Sequence, residues 1–249
     1  MTYTSNNAEV HLSNSCEIKA NQWGEDIIID EKLVKKNLQD IQKKIAPCKS
    51  RIIAVTKYYG KNSIITGYNV GIRDFGESRA LESVQKIESL PSEIKENSLF
   101  HFIGHLQTNK VDIVVKNFDY IHSIDSVKVA KAVDNVACKL NKREKVLLQV
   151  NNAGEIQKYG FYKDELFKSY ESISQLENIE IVGLMNMTPV DSTEDEQHKL
   201  FQELRLFKDE LNKKFGCNLT ELSMGMSNDY KIAVQEGATM IRVGRKLFK

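Results

Sequence analysis

Two stretches near the C-terminus decide the fold: LSMGMSND at residues 222–229 and MIRVG at residues 240–244. Each is an apolar segment of strand character that ends in small or polar residues, and the first leads into a helix predicted to begin at Ser227 and Asn228. A turn that opens a helix presents unpaired backbone N–H groups, which suit an anion such as phosphate. In a (β/α)8 barrel, the loops after the last two strands form the usual phosphate site. The two stretches therefore predict strands seven and eight of such a barrel.

The rest of the chain alternates between strand-like and helix-like segments. Eight apolar runs are predicted as strands, at residues 51–57, 73–77, 99–105, 120–124, 145–150, 179–187, 219–224 and 239–243. This alternation is the pattern of βαβ units and a parallel sheet. A doubly wound open sheet would also alternate, but the count of eight and the late phosphate loops favour the closed barrel.

An additional helix is predicted before the first strand. Its apolar residues Val34, Leu38, Ile41 and Ile45 recur at helical spacing, and Asp30 stands at the capping position. We therefore expect a polar N-terminal extension over residues 1–27, and one barrel domain with an extra N-terminal helix over residues 28–249.

Composition excludes several classes of protein. The 249 residues carry 35 Lys and Arg against 34 Asp and Glu, so no overall field favours nucleic acid or an anionic membrane. No apolar run approaches the roughly 18 residues that span a bilayer. The four cysteines are scattered without metal-ligand spacing, which is typical of reduced thiols in the cytosol. We therefore expect a cytoplasmic protein without a metal site.

Lys57 ends the first predicted strand. Most lysines at strand ends are simply solvated charges. In a barrel, however, the carboxyl ends of the strands face the active-site mouth. Partial desolvation there would leave a neutral amine available, as Schiff-base chemistry requires.

Two histidines in FHFIGH, residues 100–105, lie on one face of the third predicted strand. No third ligand is evident for His101 and His105, and their spacing is not that of a helical zinc site. We expect His101 to be packed inside the barrel. His105, beside Gly104 at the strand end, is the better candidate for lining the pocket.

Other strand-end residues have two interpretations. Glu77 could orient a lysine or pair with Arg79, and Met185 is more typical of a pocket wall. Arg242 is embedded in an apolar strand, so it needs a partner, and a buried salt bridge with an acidic side chain is the alternative to a role at a ligand.

Six motifs together resemble the YggS/PROSC family of pyridoxal 5'-phosphate (PLP)-binding proteins, also called pyridoxal phosphate homeostasis proteins. They are AVTK (54–57), FGE (75–77), HFIGHLQTNK (101–110), GLM (183–185), LSMGMS (222–227) and IRVG (241–244). They follow the family's order from about Asp30 to the C-terminus. The resemblance implies a single (β/α)8 barrel like the N-terminal domain of alanine racemase, with PLP as its cofactor.

The resemblance also assigns roles to residues. It implies that Lys57 holds PLP as a Schiff base, that Met226, Ser227, Gly244 and Arg245 hold the phosphate, and that Arg242 approaches the pyridine nitrogen. An arginine there leaves that nitrogen unprotonated, which weakens the electron sink needed for carbanion chemistry. There are departures from the family pattern: the run Tyr58-Tyr59-Gly60 follows the lysine, Ser78 stands where Asn is usual, and Arg245 stands where Thr is common. Arg245 replaces a hydroxyl contact to phosphate with charge.

Three functions compete at this point. The protein binds and buffers or delivers PLP to apoenzymes, or it is a PLP-dependent amino-acid racemase, or it is an unrelated barrel enzyme that acts on a phosphorylated metabolite through Lys57. Racemisation needs two acid–base groups on opposite faces of the α-carbon, and alanine racemase takes one from a second domain. The chain ends at Lys249, so we expect no such domain. We therefore favour PLP homeostasis by a monomer with no catalytic residue and at most weak turnover.

Overall fold

The computed structural model describes residues 28–46, 48–155 and 157–249. The polar extension predicted over residues 1–27 lies outside this part of the chain. The additional N-terminal helix is confirmed as α1 (Glu31–Ile45), and Asp30 Oδ1 caps it by accepting from the backbone N–H groups of Lys32 and Leu33. In the middle of this helix, Asn37 Nδ2 donates to the carbonyl oxygen of Leu247 at 3.1 Å, which connects α1 to the C-terminal residues.

Eight parallel strands close into a barrel in chain order, which confirms the predicted fold. The strands are β1 (Arg51–Val55), β2 (Asp74–Glu77), β3 (Leu99–Phe102), β4 (Tyr120–Ile124), β5 (Glu144–Gln149), β6 (Ile179–Met185), β7 (Glu221–Ser223) and β8 (Met240–Val243). The last strand pairs with the first, so the sheet has no free edge.

Helices follow the strands and cover the outside of the barrel. They are α2 (Asn62–Asn69), α3 (Ala80–Glu88), α4 (Ser92–Glu96), α5 (Val111–Asn117), α6 (Val127–Lys139), α7 (Lys163–Ile173), α8 (Glu194–Phe215), α9 (Tyr230–Gln235) and α10 (Arg245–Phe248). The short α4 and α10 were not expected from the sequence. None of the helices in the described ranges combines the length and apolar character needed to cross a membrane.

Side chains alternate between two cores because successive residues of a strand point to opposite faces. Outward-facing residues join the helices in one large apolar core, of which Phe75 and Ile121 are fully buried examples. A small separate cluster fills the barrel interior, and it consists of Ile53, Tyr120, Leu147, Met185 and Met240. Met185 is thus part of the packed interior rather than a wall of an open pocket.

Six of the strands are shorter than predicted, and in two of them, β1 and β3, the difference concerns candidate site residues. β1 ends at Val55 and β3 at Phe102, so Lys57 and His105 lie in the loops that follow these strands rather than on the strands themselves. Each loop leaves at the carboxyl end of the barrel, which is the end where barrel enzymes bind their ligands.

Gly183 shows why β6 needs a glycine. A Cβ atom built on Gly183 would lie 1.8 Å from the carbonyl oxygen of Glu221 on β7. Only a residue without a side chain allows the two strands to pair at this distance.

Candidate functional site

The turn between β7 and α9 contains Met226 and Ser227, and it is organised by Asp229. The Asp229 carboxylate accepts from the backbone N–H of Met226 at 2.5 Å and from Thr188 Oγ1 at 2.5 Å. The backbone N–H groups of Ser227 and Asn228 donate to no residue in the described ranges. The turn therefore offers two free donors to an anion.

The helix after this turn differs from the prediction. α9 begins at Tyr230, so Ser227 and Asn228 belong to the turn and not to the helix. Six residues make a short helix, and its dipole is correspondingly small. The free N–H groups, rather than the dipole, are what this turn contributes to anion binding.

The end of β8 meets the same turn. The backbone N–H of Lys246, in the first turn of α10, faces Ser227 Oγ at 3.4 Å. Gly244 packs against β1, since a Cβ there would lie 3.0 Å from the carbonyl oxygen of Val55. Arg245 is exposed and makes no ion pair within the described part of the chain. Ser227, Gly244 and Arg245 are therefore brought together, as the sequence predicts.

Lys57 lies in the loop after β1, beside these segments. Its side chain is half-buried, and its Nζ lies 5.1 Å from the centre of the Tyr58 ring. The neighbouring Tyr59 packs on Phe248 of α10, with ring centres 5.0 Å apart. Lys57 makes no ion pair with any described residue. Its amine is therefore free to react.

Arg242 is buried without an acidic partner in contact, so the interpretation as a buried salt bridge is wrong. Its Nη1 donates at 2.7 Å both to the carbonyl oxygen and to Oγ of Ser223, and its Nη2 donates to the carbonyl oxygen of Asn186 at 2.8 Å. Burial lowers the pKa of Arg242 to about 10, and the charge of Asp229 opposes that shift. The guanidinium therefore stays charged at neutral pH, stabilised by carbonyl dipoles.

Arg242 is connected through Ser223 to a hydrogen-bonded network of buried polar side chains. The sequence did not predict this network, although it did predict that His101 is buried. His122 on β4 contacts Ser223 Oγ through Nδ1 at 2.8 Å, and its Nε2 lies 2.9 Å from His101 Nδ1. His101 in turn contacts Asp74 Oδ1 through Nε2 at 2.9 Å. The expectation that His101 is packed inside the barrel is confirmed, since it is fully buried. The alternation of β4 was the available signal for His122, because it shares a face with Tyr120.

Glu77 faces away from the mouth. Its carboxylate accepts from Lys86 Nζ on α3 at 2.6 Å, from Thr56 Oγ1 at 2.6 Å and from Ser83 Oγ at 3.2 Å. The expected alternative of a pair with Arg79 is wrong. Glu77 does orient a lysine, but that lysine is Lys86 and it joins α3 to the barrel.

His105 lies on the rim of the barrel with different neighbours. Its Nδ1 is 3.0 Å from Asp125 Oδ2, and its ring stacks on Tyr159 with centres 3.5 Å apart. These residues line an open cavity of about 580 Å³ together with Lys128 and Tyr162. No contact among the described residues joins His105 to Lys57, Ser227 or Arg242, so its role at the cofactor stays a prediction.

The donor set of this end of the barrel fits PLP. A phosphate can accept hydrogen bonds from the turn N–H groups and pair with Arg245, neither of which has a partner among the described residues. An aldehyde can react with the Lys57 amine, and a ring nitrogen can accept a hydrogen bond from Arg242. A metal is not indicated: in the described ranges, no three His, Cys, Asp or Glu side chains group as metal ligands.

Comparisons with known proteins identify the family of this chain and several of its relatives. The family model described as "Alanine racemase, N-terminal domain" matches residues 29–249. A protein of Synechocystis sp. named pyridoxal phosphate homeostasis protein is 42% identical over 202 residues, which are 81% of this chain and 92% of the relative. The solved structure of PipY from Synechococcus elongatus PCC7942, with PLP bound, superposes with a TM-score of 0.79 at 36% identity, and it covers 87% of this chain and 100% of PipY.

More distant structures share the fold alone. An alanine racemase of Clostridium difficile 630 superposes with a TM-score of 0.70 at 15% identity, over 88% of this chain and 57% of the racemase. The resemblance to the PLP homeostasis family that the six motifs carry is confirmed by the closer relatives.

Proposed function

The chain belongs to the family of the alanine racemase N-terminal domain, and from this premise we propose that it binds PLP and maintains the intracellular supply of this cofactor. The observation that carries the proposal is that a free lysine amine, a turn with free N–H groups and a buried arginine meet at one end of the barrel. PipY, a relative 36% identical, is described with PLP bound, which supports the same cofactor here.

Each residue of the site has a separate task in this proposal. Lys57 Nζ condenses with the PLP aldehyde to a Schiff base, with loss of water, and so retains the cofactor. The backbone N–H groups of Ser227 and Asn228 face the phosphate, and Arg245 adds a cation. Met226 and Gly244 shape the turn and the strand end beside it, since the N–H of Met226 is already donated to Asp229. Arg242 faces the pyridine nitrogen and leaves it unprotonated.

Homeostasis is preferred over racemisation for a physical reason. An arginine at the ring nitrogen does not supply the electron sink that favours carbanion chemistry. The relatives over 30% identical carry the name pyridoxal phosphate homeostasis protein, which supports the same assignment. We also propose that the protein is a cytoplasmic monomer that delivers PLP to PLP-dependent apoenzymes. A racemase remains the second candidate, because distant structures with this fold include alanine racemases.

Two assays test the proposal. The PLP-loaded protein is incubated with L-alanine or D-alanine, and chirality is followed by chromatography on a chiral phase. We expect no steady interconversion, and sustained interconversion would establish the racemase instead. In parallel, the loaded protein is mixed with an apoenzyme that needs PLP, and recovery of its activity is compared with that given by a Lys57→Ala variant. Equal recovery from both proteins would argue against delivery from this site.

A further inference from the structure

A continuous file of hydrogen bonds runs through the barrel interior and ends on Arg242. It passes from Asp74 Oδ1 to His101 (2.9 Å), from His101 to His122 (2.9 Å), from His122 to Ser223 Oγ (2.8 Å) and from there to Arg242 Nη1 (2.7 Å). These five residues, called the polar file below, come from five different strands. The file therefore spans the barrel from the start of β2 to the site where we place PLP.

The direction of every proton in the polar file follows from its two ends. An ionised Asp74 only accepts, so His101 Nε2 donates to it and a neutral His101 must accept at Nδ1. His122 Nε2 then donates to His101, and His122 Nδ1 accepts the hydroxyl proton of Ser223. Ser223 Oγ keeps its lone pairs for Arg242, which only donates. One arrangement of protons satisfies all four contacts.

The surroundings keep both rings neutral. Each imidazole is fully buried, and desolvation lowers the pKa of His101 and lowers that of His122 further. The titratable and charged groups that act on them are Asp74, Arg51 and Asp119 on His101, and His101, Arg242 and Arg51 on His122. Tyr120 stacks on His101 with ring centres 4.7 Å apart, which fixes that ring. Neutral rings in fixed orientations make the file a rigid support.

We propose that His101 and His122 are positioning residues that hold Ser223 Oγ as an acceptor and thereby fix the guanidinium of Arg242 toward the cofactor. This inference rests on the proposed function for what Arg242 faces. Three of the five N–H groups of Arg242 are engaged by Ser223 and by the Asn186 carbonyl oxygen, and the other two donate to no described residue. Those two are the groups that remain for a ligand.

The first test needs no cofactor. Nitrogen-15 NMR of the folded protein distinguishes a protonated ring nitrogen from an unprotonated one. We expect both His101 and His122 to carry their proton on Nε2, with Nδ1 unprotonated. A proton on Nδ1 of either ring overturns the proposed direction of the file, whether or not the protein binds PLP.

The second test measures PLP retention in variants of His122. Asn places an amide oxygen near the position of Nδ1, so His122→Asn keeps an acceptor for Ser223, whereas His122→Leu removes it. We expect His122→Leu to retain PLP about tenfold less tightly and to shift the visible absorption band of bound PLP, because the Ser223 hydroxyl loses its acceptor and no longer keeps its lone pairs directed at Arg242. His122→Asn should restore both values toward those of the unmodified protein.

A matched control removes a buried serine hydroxyl outside the file. Ser83 is buried and hydrogen-bonded to Glu77, so Ser83→Ala should leave retention and spectrum unchanged. If His122→Leu does not fold, Ser223→Ala replaces it, since it removes Ser223 Oγ, the acceptor that His122 is proposed to hold toward Arg242. Unchanged retention and spectrum in the folded variant overturn the proposal. Failure of the unmodified protein to bind PLP would refute the proposed function instead, and the NMR result would still decide the file.

Discussion

The two ends of the barrel differ in whether their basic side chains have acidic partners. At the amino ends of the strands, Arg51 pairs with Glu221 at 2.9 Å and lies 3.7 Å from Asp74, while Glu221 also accepts from Thr239 Oγ1 at 2.5 Å. At the carboxyl ends, Lys57 and Arg245 have no ion pair within the described part of the chain. Arg51 at the amino ends is paired with carboxylates, whereas Lys57 and Arg245 at the carboxyl ends have no acidic partner in the described ranges.

This difference separates stability from binding. Charged side chains that form ion pairs with each other stabilise the fold, and they are not available to bind a ligand. Hydrogen-bond donors without a partner contribute little to folding and can bind an anion. Substitutions at the amino end, outside the polar file that begins at Asp74, should therefore change stability and spare PLP binding. Substitutions at the carboxyl end should do the reverse.

The largest expected effect comes from the phosphate site. Ser227→Ala combined with Arg245→Ala should weaken PLP retention about 10- to 100-fold, because the phosphate loses a cation and a polar side chain. The midpoint of thermal unfolding should change little, since Arg245 is exposed and Ser227 Oγ accepts only one long bond. Fluorescence titration with PLP and a thermal melt measure the two quantities.

A control for this double variant also removes one serine and one cation, both from the exposed surface away from the turn. Ser89→Ala with Lys43→Ala changes an exposed serine and an exposed lysine far along the chain from the turn. PLP retention should match that of the unmodified protein. Equal weakening in both double variants would move the phosphate site away from these loops.

The next effect concerns the amino end. Glu221→Ala should lower the free energy of unfolding by about 1–2 kcal/mol, because Arg51 and Thr239 each lose a partner that is only partly exposed. PLP retention should stay unchanged. Urea denaturation measures the stability, with Glu210→Ala as the control, since Glu210 forms a half-exposed pair with Lys163 at 3.7 Å. A loss of PLP retention in Glu221→Ala would contradict the separation of the two ends.

A smaller effect depends on pH. Burial raises the pKa of Glu144 to about 7 from its ordinary 4.5, although Lys142 lies 2.7 Å away and opposes the shift. Because the folded state binds this proton more tightly, Glu144 costs stability as pH rises from about 4.5 to about 7, and the cost is constant above that. Glu144→Gln should therefore stabilise the protein by about 1 kcal/mol at pH 8, with a smaller gain at pH 5.

Urea denaturation of both proteins at pH 5 and pH 8 checks this prediction. Glu180→Gln serves as the control, because Glu180 lies at the start of β6 with no ion pair among the described residues. A gain for Glu144→Gln that is the same at both pH values would show that titration of this carboxyl is not the cause.

The fold could be predicted from the sequence because it depends on a repeating local pattern. The alternation of apolar strands with amphipathic helices gave the barrel and the order of all eight strands. The strand ends were less predictable, since Lys57 and His105 continue an apolar run past the last ladder hydrogen bond. The residue at which a strand ends depends on its hydrogen bonds to the neighbouring strands. The sequence of one strand alone does not contain this information.

The site was predictable only in part for a similar reason. The position of Ser227, Gly244 and Arg245 at the carboxyl end of the barrel could be predicted because each lies in or directly after a motif at a strand end. His122 was missed because its partner is distant: it contacts Ser223, 101 positions along the chain. Asp229 was also missed, since it joins its neighbour Met226 to Thr188, 41 positions away. The sequence left two interpretations of Glu77 open, and its place on the outward face of β2 with Phe75 explains why it contacts Lys86 and not Arg79.

The central claim is that Lys57 holds PLP, and one measurement tests it most directly. The purified protein is incubated with PLP, treated with borohydride, digested and mapped by mass spectrometry, beside Lys57→Ala and Lys61→Ala variants. We expect a yellow protein whose reduced pyridoxyl group lies on the peptide with Lys57, with the same result for Lys61→Ala and no labelled peptide for Lys57→Ala. A label on another lysine of the unmodified protein, or a protein that stays colourless with PLP, would contradict the account.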